Sequence, residues 1–264
     1  MITKEEIESY IEKIPPASNV LRETISLLNS GELTKASHVA KNDLALCSYL
    51  KGLINKPIYG FKNEVSDVTQ IFGILGVSAS KQTVYNYMLS LLSPKKWSFF
   101  KLNGALFSNL QATLSANWIK ILKHLEIDDA EIMSAISLLP ASIIVSEALF
   151  KEHKNDVELI RGAREIDLNT ILKRLSGMDL FDICEQIALK WEMSPTISTL
   201  VKTASGTQQV DDNKINNLAK YMHLLLFYTL SQPSYIDAGL NDFIDFQVDF
   251  VEDIYEDFMQ VIEK

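Results

Sequence analysis

The sequence predicts an all-α protein of about a dozen helices, and three observations support that prediction. Apolar residues recur at spacings of three and four, as along residues 106–125, which is the period of one helix face. Side chains that can cap a helix stand before most of these segments. No segment shows the sustained alternation of apolar and polar residues that is typical of a half-buried strand. With 264 residues, 47% of them hydrophobic, the chain can bury a sizeable core.

Candidate helix starts follow from these capping residues in chain order. Thr3 and Glu6 have the spacing of a capping box, in which each side chain accepts from the other residue's backbone amide. Ser194 precedes Pro195, and proline suits the first position of a helix. The remaining candidate N-caps are Ser18, Thr34, Asp43, Ser66, Asn103 and Asp167.

Glycine and proline mark the joints between the helices. Pro15-Pro16 ends a short first helix, Ser30-Gly31 separates two more, and residues 55–63 make a turn between the fourth and fifth. Residues 93–96 close a first helical half, and the small, polar stretch 204–209 is the most linker-like part of the chain. We therefore predict a body over residues 1–209, with halves 1–96 and 97–209, and a C-terminal helical extension over residues 210–264.

The chain is acidic, with a formal charge of −9 and a pI near 5.0. Affinity for nucleic acid depends largely on lysine and arginine that neutralise phosphates, so no nucleic-acid partner is expected. Residues 94–101 interleave three lysines with aromatic residues, which we interpret as a loop whose aromatic side chains pack into the junction between the halves. Cys47 and Cys184 lie in apolar helical patterns and are interpreted as reduced core residues.

Membrane and export signals are missing from the sequence pattern. The first residues lack the basic start and apolar run of a signal peptide. The longest apolar runs, 143–145 and 224–228, fall far short of the ~20 residues that span a bilayer. We therefore expect a cytoplasmic protein without a membrane partner.

Short motifs follow one another through the first half. They are Ile14-Pro15-Pro16, Leu27-Leu28, Asp43-Leu44-Ala45-Leu46, Asn55 with Tyr59-Gly60, Val65-Ser66-Asp67-Val68 and Ile74-Leu75-Gly76. In order and spacing they resemble the HDOD family, the bacterial HD-related output domain, over about residues 12–92, more weakly over 103–205 and not after 210. The resemblance implies an N-terminal helical half packed on an HD-type helical half, and an output role in bacterial signal transduction. We interpret the turn from Asn55 to Gly60 as structural rather than as a binding surface, because both residue types accept unusual backbone angles.

The resemblance also bears on catalysis. Catalytic HD proteins hydrolyse phosphate esters with metal ions held by helix-borne histidine and aspartate, since the metal supplies hydroxide and offsets the phosphate charge. The family's histidine positions fall here at Asn109 and Pro140, and its aspartate position at Ala141. Proline and alanine cannot coordinate a metal through their side chains, and one asparagine carbonyl is a weak ligand. Later histidine positions of the family fall at Leu180 and at Ala204-Ser205. The resemblance therefore implies no catalytic residues, no metal and no cofactor.

Residues outside the resemblance offer no other catalytic signal. The four histidines, His38, His124, His153 and His223, are isolated and are interpreted as surface or helix-end residues. The alternative is an adventitious metal site, since His124 lies four residues before Asp128-Asp129 and His153 three before Asp156. The chain has no phosphate-binding glycine loop, no dinucleotide fingerprint, no serine-hydrolase elbow and no Cys-x-x-Cys pair.

The acidic C-terminal tail is not explained by the resemblance. Residues 237–264 hold nine carboxylates and one lysine. Within them an apolar seam steps by four and three along one helix side, through Ile244, Val248, Val251, Tyr255, Phe258 and Ile262. Phe243, Phe246, Phe250 and Ile254 widen that seam. The helix either packs onto its own domain or binds a partner protein or a second copy of the chain, and the seam residues are the candidate binding residues.

These observations favour a non-catalytic signalling or regulatory module that acts through protein–protein recognition. The first alternative is a sensor that holds a small, nucleotide-like molecule in the degenerate HD pocket without turning it over. The second is a residual metal-dependent phosphohydrolase.

Overall fold

The computed structural model describes residues 2–13, 19–56, 60–163, 166–241 and 246–263. Its regular structure in these ranges is helical, with no strand, which confirms the all-α prediction. In chain order the helices are α1 (Lys4–Lys13), α2 (Asn19–Asn29), α3 (Leu33–Ala40), α4 (Leu44–Ile54), α5 (Val68–Leu92), α6 (Gly104–His124), α7 (Ala130–Ala135), α8 (Leu138–Glu152), α9 (Lys154–Ala163), α10 (Leu168–Ser176), α11 (Leu180–Lys190), α12 (Pro195–Thr203), α13 (Asn213–Leu230), α14 (Pro233–Asp237), α15 (Val248–Val251) and α16 (Tyr255–Glu263).

The chain forms two compact units. The larger unit contains residues 1–14, 93–128 and 135–264, and the smaller unit contains residues 15–92 and 129–134. The chain passes back from the smaller to the larger unit between residues 92 and 93, close to the joint that the sequence places at residues 93–96. Residues 1–14 and the C-terminal stretch 210–264 both belong to the larger unit.

In the smaller unit, α5 packs against α2, α3 and α4. Gly76 kinks α5, because its φ of +73° and ψ of 177° lie in a region that side-chain-bearing residues rarely adopt. The Asn55 side chain links the end of α4 to Val65, shortly before α5. Its amide nitrogen donates to the carbonyls of Lys51 and Val65, and its Oδ1 accepts from the Val65 amide at 2.8 Å. These contacts support the structural interpretation of the turn, although Tyr59 lies outside the described residues.

In the larger unit, α11 packs against α8 and α12, and α13 packs against α6 and α12. Trp118 of α6 and Phe150 of α8 are fully buried in its core. One stretch, Ala130–Glu152, is the single part of the described chain that is long and apolar enough to cross a membrane by length and composition. Its most apolar window is 89% buried inside the protein, and core helices of soluble proteins pass the same test.

The capping predictions have mixed outcomes. Asp43, Asn103 and Asp167 cap α4, α6 and α10 through side-chain oxygens, as predicted, and the Thr3 hydroxyl accepts from the Glu6 amide. Thr34 and Ser66 were wrong: Thr34 lies inside α3, and Asp67 accepts from the Gln70 amide at the start of α5. Ser194 occupies the N-cap position of α12 without a side-chain capping bond. Ser18, Pro15 and Pro16 lie outside the described residues.

The C-terminal tail is interrupted rather than continuous. A short 3₁₀ turn, Glu252–Ile254, separates α15 from α16. It divides the seam predicted from the sequence: Val251, Phe258 and Ile262 are buried, whereas Val248 and Tyr255 are 57% and 50% exposed. Ile244 lies outside the described residues. The tail thus packs onto its own unit, with α16 against α6 and α13, and leaves part of the seam in solvent.

Candidate functional site

The three residues that the resemblance assigns to HD ligand positions lie on two helices of the larger unit. Asn109 is exposed on α6, with the hydroxyl of Tyr235 beside its side chain. Pro140 and Ala141 are buried in the first turn of α8. Helix α11 packs against α8, and the Cys184 Sγ lies 3.4 Å from the Leu138 carbonyl. Pro140 and Ala141 are therefore core residues of a helix that α11 packs against.

The thiol of Cys184 is unsuited to metal or nucleophilic chemistry at neutral pH. Burial raises its pKa to about 12, and the thiolate is the form that binds metals and attacks electrophiles. Both cysteines are free, and Cys184 is buried as the sequence predicted, whereas Cys47 is only partly covered. Among residues that the structure describes, no group of three or more histidine, cysteine, aspartate or glutamate side chains is placed to hold a metal ion.

Three of the four histidines contact other parts of the larger unit. His124 Nε2 lies 2.8 Å from Asp257 Oδ2 at the surface, and His153 Nε2 lies 2.8 Å from Glu6 Oε1. Neither therefore joins the nearby aspartates that the sequence offered as an adventitious site. His38 is exposed on α3.

The surface interpretation was wrong for His223. This residue is fully buried in the middle of α13, because both of its ring nitrogens find backbone partners. Nδ1 donates to the Ala204 carbonyl at 2.8 Å, and Nε2 accepts from the Gln247 amide at 3.2 Å. The ring also stacks on Phe181 and Phe246. His223 thereby ties α13 to the turn after α12 and to the start of the acidic tail, a structural role.

A buried carboxylate anchors the aromatic loop. Glu147 of α8 is 2% exposed, and its oxygens accept from three consecutive backbone amides, those of Ser98, Phe99 and Phe100. Phe99 packs against Phe150 with ring centroids 5.0 Å apart. Trp97 packs against Phe107 in the same unit, with the two rings tilted by 43°. Trp97 and Phe100 are thus buried and Phe99 is half-buried, and the lysines at 95, 96 and 101 are exposed. The ring contacts all lie within the larger unit, and the predicted packing at a junction between the halves stays a prediction.

A cleft between α11 and α12 in the larger unit has both charged and apolar walls. Its volume is about 370 Å³. Glu185 and Leu189 line it from α11, and Ser198 and Lys202 from α12, because residues three and four apart share one helix face. Val210 closes one side. Lys202 Nζ lies 3.1 Å from Glu185 Oε2, so the cleft contains an ion pair.

Sequence reasoning missed both the cleft and the Glu147 anchor. Glu147 contacts residues 47 to 49 positions away, and the cleft joins two helices with a later segment, so neither follows from local spacing. The available signal was composition: a glutamate within the otherwise apolar stretch 138–150 must find donors when it is buried.

Comparison with known proteins identifies a matching family and two solved structures with a similar fold. The family model described as HDOD domain matches residues 14–206. No curated protein gives a significant match. The structure is similar to an HDOD domain protein with unknown function from Geobacter sulfurreducens, at 13% identity and a TM-score of 0.63, over 98% of this chain and 95% of that one. It is also similar to a protein named "putative phosphohydrolase" from Shewanella amazonensis SB2B, at 14% identity and a TM-score of 0.63, over 97% of each chain.

At such identities these two similarities show the fold alone. Both extend over almost the whole chain, whereas the family model stops at residue 206. The C-terminal residues after 210, which the sequence resemblance left unexplained, are therefore part of a fold that the two solved structures share.

Proposed function

The chain belongs to the HDOD domain family, and from that premise we propose that it is a non-catalytic regulatory module of bacterial, cytoplasmic signal transduction that acts by recognising another protein. The observation that carries the proposal is the set of side chains at the HD ligand positions. Asn109, Pro140 and Ala141 stand there, and the last two are packed in the core of α8. A metal-dependent hydrolase needs several strong ligands around a site open to water. Pro140 and Ala141 have no ligand atom on their side chains and are buried, and the exposed Asn109 offers one weak ligand.

The residual phosphohydrolase receives less support. The one neighbour whose name includes that activity is 14% identical to this chain, and the activity belongs to that protein's name alone. A nucleotide sensor at the substituted positions also has little support, because Pro140 and Ala141 are buried. We therefore retain recognition of a protein as the proposed function.

The exposed part of the C-terminal tail is the surface that we propose binds the partner protein. Val248 and Tyr255 project into solvent on a segment whose neighbours Asp249, Glu252 and Glu256 are also exposed. Aromatic and aliphatic side chains within a charged rim are typical of protein-binding surfaces. The partner is proposed to be another signalling protein, with a second copy of the chain as the alternative occupant.

The catalytic half of the proposal is tested by elemental analysis of the full chain purified without chelators and without a histidine tag. We expect no stoichiometric Mn, Fe, Ni or Zn, and no hydrolysis of bis(p-nitrophenyl) phosphate above a buffer control when these metals are added. Stoichiometric metal together with turnover would show that the chain is an enzyme.

The recognition half needs variants that alter the surface without disturbing the core. Val248→Asp and Tyr255→Asp place a charge on the exposed seam, and Leu159→Asp is a control on α9 at a residue that is also exposed. A partner protein is first captured with the wild type and identified. We expect the purified partner to bind the wild type and Leu159→Asp, and not to bind Val248→Asp or Tyr255→Asp. Equal binding by all four proteins would place the recognition surface elsewhere.

A further inference from the structure

The cleft between α11 and α12 has walls that are fixed by contacts outside it. A capping box begins α11, in which the Asp179 side chain accepts from the Asp182 amide and the Asp182 side chain accepts from the Asp179 amide. Asn216 holds the side that carries Val210, because its side chain bonds both the amide and the carbonyl of that residue. The cleft is therefore formed before any ligand arrives, and preformed walls reduce the ordering cost of binding.

One hydroxyl in the cleft wall has no partner in the described part of the chain. Ser198 is 8% exposed, and its Oγ makes no hydrogen bond. The neighbouring Thr199 hydroxyl, by contrast, donates to the Pro195 carbonyl at 2.9 Å. That oxygen is itself closed off from solvent, so a ligand in the cleft reaches it only when the Ser198 side chain rotates towards the cleft. Because a buried hydroxyl without a partner is costly, such a rotation would give it one.

The charges of the cleft favour a ligand that carries both signs. Lys202 and Glu185 lie 3.1 Å apart, with their side chains 43% and 21% exposed. A polyphosphate placed against Lys202 would also meet the Glu185 carboxylate, and one lysine that is already paired does not offset several negative charges. A molecule with one carboxylate and one ammonium group matches both side chains at once.

The rest of the wall is apolar. Leu189 is 55% exposed although it lies on the cleft, and Met193 and Val210 extend the same surface. Burying an aliphatic side chain against them contributes roughly 25 cal/mol per Å² of area removed from water. A volume of about 370 Å³ is at the small end of the range for ligand pockets, which limits the ligand to a single small molecule.

We propose that the cleft between α11 and α12 binds a small apolar α-amino acid. Its carboxylate contacts Lys202 and accepts a hydrogen bond from the Ser198 hydroxyl once that side chain has rotated towards the cleft. Its ammonium contacts Glu185, and its side chain packs on Leu189, Met193 and Val210. This site is independent of the proposed protein recognition.

The test is isothermal titration calorimetry of the full chain with L-leucine, L-methionine and L-phenylalanine. Ligand concentrations reach about 10 mM, which is tenfold above a Kd of about 1 mM. We expect saturable binding of at least one of the three. Leucinamide lacks the carboxylate and 4-methylpentanoate lacks the ammonium, and each should bind the wild type at least about tenfold more weakly than leucine.

Variants assign the binding to the cleft. Lys202→Met and Glu185→Gln should each weaken amino-acid binding about tenfold or more, while Lys190→Met, which removes an exposed lysine from the end of α11, should leave it unchanged. Circular dichroism checks that each variant is folded, and the analogue series on the wild type decides the question if one is not.

Three results would overturn the proposal: no saturable binding of any of the three amino acids, equal binding of leucine and 4-methylpentanoate, or amino-acid binding that survives both cleft variants. Binding of ATP to the cleft, with no binding of the amino acids, would likewise contradict the proposal, because the ligand would then be a nucleotide. None of these results bears on whether the tail recognises a protein.

Discussion

Glu147 in the larger unit and Lys81 in the smaller unit are both buried charged side chains, yet their surroundings differ. Each is at most 2% exposed. Glu147 accepts from three consecutive backbone amides, all within hydrogen-bond distance. Lys81 has a carboxylate oxygen of Glu131 at 3.8 Å, and the Glu131 side chain is 34% exposed. One charge is compensated by short, directed bonds and the other by a single long ion pair.

This difference shows that burial of a charge is not by itself evidence of a site. The three amides around Glu147 form an anion-binding arrangement that the chain fills with its own side chain, and this fixes the aromatic loop to α8. Around Lys81, burial lowers the pKa of the ammonium, and the nearby Glu131 and Asp129 oppose that shift only in part. Glu147 should therefore stabilise the fold, whereas Lys81 should cost stability at neutral pH.

Glu147→Ala should have the largest effect on stability. The substitution removes the carboxylate that accepts from three amides and opens a cavity beside Phe99 and Phe100. Breaking a buried charged contact of this kind costs about 3 to 5 kcal/mol. Urea unfolding followed by circular dichroism measures the change in the free energy of unfolding.

The matched control is Glu158→Ala, which removes an exposed glutamate from α9 and its ion pair with Lys154. Exposed pairs contribute about 0 to 1 kcal/mol. Similar losses for Glu147→Ala and Glu158→Ala would mean that the three amide contacts do not anchor the loop, and the comparison with Lys81 would then collapse.

His223→Ala should have the next largest effect. The substitution removes a buried ring together with its hydrogen bonds to the Ala204 carbonyl and the Gln247 amide. The lost ring and the two lost hydrogen bonds predict a cost of about 3 kcal/mol, measured by the same urea unfolding. The exposed His38→Ala is the control, and it should change stability by less than about 0.5 kcal/mol. The buried His223 ring, which makes two directed hydrogen bonds, would then stabilise the fold as Glu147 does and as Lys81 does not. Equal stability of His223→Ala and His38→Ala would contradict this.

Much of the helical fold was predictable because its signals are local. Asp43, Asn103 and Asp167 cap helices within three residues of their own position, so the sequence alone identifies them. The interrupted tail was not predictable from its period. Residues 244–262 keep a helical apolar spacing, but the 3₁₀ turn at 252–254 divides it, because side chains on α6 and α13 determine where the chain packs. His223 was misassigned for the same reason, since its partners lie 19 and 24 residues away.

The candidate sites were less predictable than the helices. The family resemblance located Asn109, Pro140 and Ala141, but it could not show that the last two are core residues. The cleft depends on how α11 and α12 pack with residues 208–210, which no sequence period encodes. Spacing within one helix predicts which residues share a face, whereas the neighbour of that face is a property of the tertiary fold.

Lys81→Met should leave the protein equally stable or about 1 kcal/mol more stable at pH 7, because replacing one charge of a poorly compensated buried pair with an apolar side chain removes a desolvation cost. The pH dependence gives the sharper test. The pKa of Lys81 is lowered in the folded chain from its usual 10.5, so the unfolded chain binds more protons between the two values. Stability of the wild type should therefore rise with pH over the range below 10.5, and Lys81→Met should lose that part of the slope.

The experiment compares unfolding free energies of the wild type and Lys81→Met at several pH values, so that titrations common to both proteins cancel. Lys35→Met is the control, since Lys35 is 67% exposed in the same unit. A clear loss of stability in Lys81→Met at pH 7, with the slope unchanged, would show that the long ion pair stabilises the smaller unit as the amides stabilise the larger one.

Ser198→Ala should have the smallest effect on stability and extends the comparison to neutral groups. The Ser198 hydroxyl is buried without a partner, so its removal should change the free energy of unfolding by less than about 0.5 kcal/mol, or raise it slightly. Ser142 is an equally polar buried serine of the same unit, and its Oγ donates to the Leu139 carbonyl at 2.7 Å. Ser142→Ala should cost about 1 kcal/mol because that bond is lost. If Ser198→Ala were instead the more damaging of the two, its hydroxyl would already be satisfied within the fold, and the argument that it awaits a ligand would lose its basis.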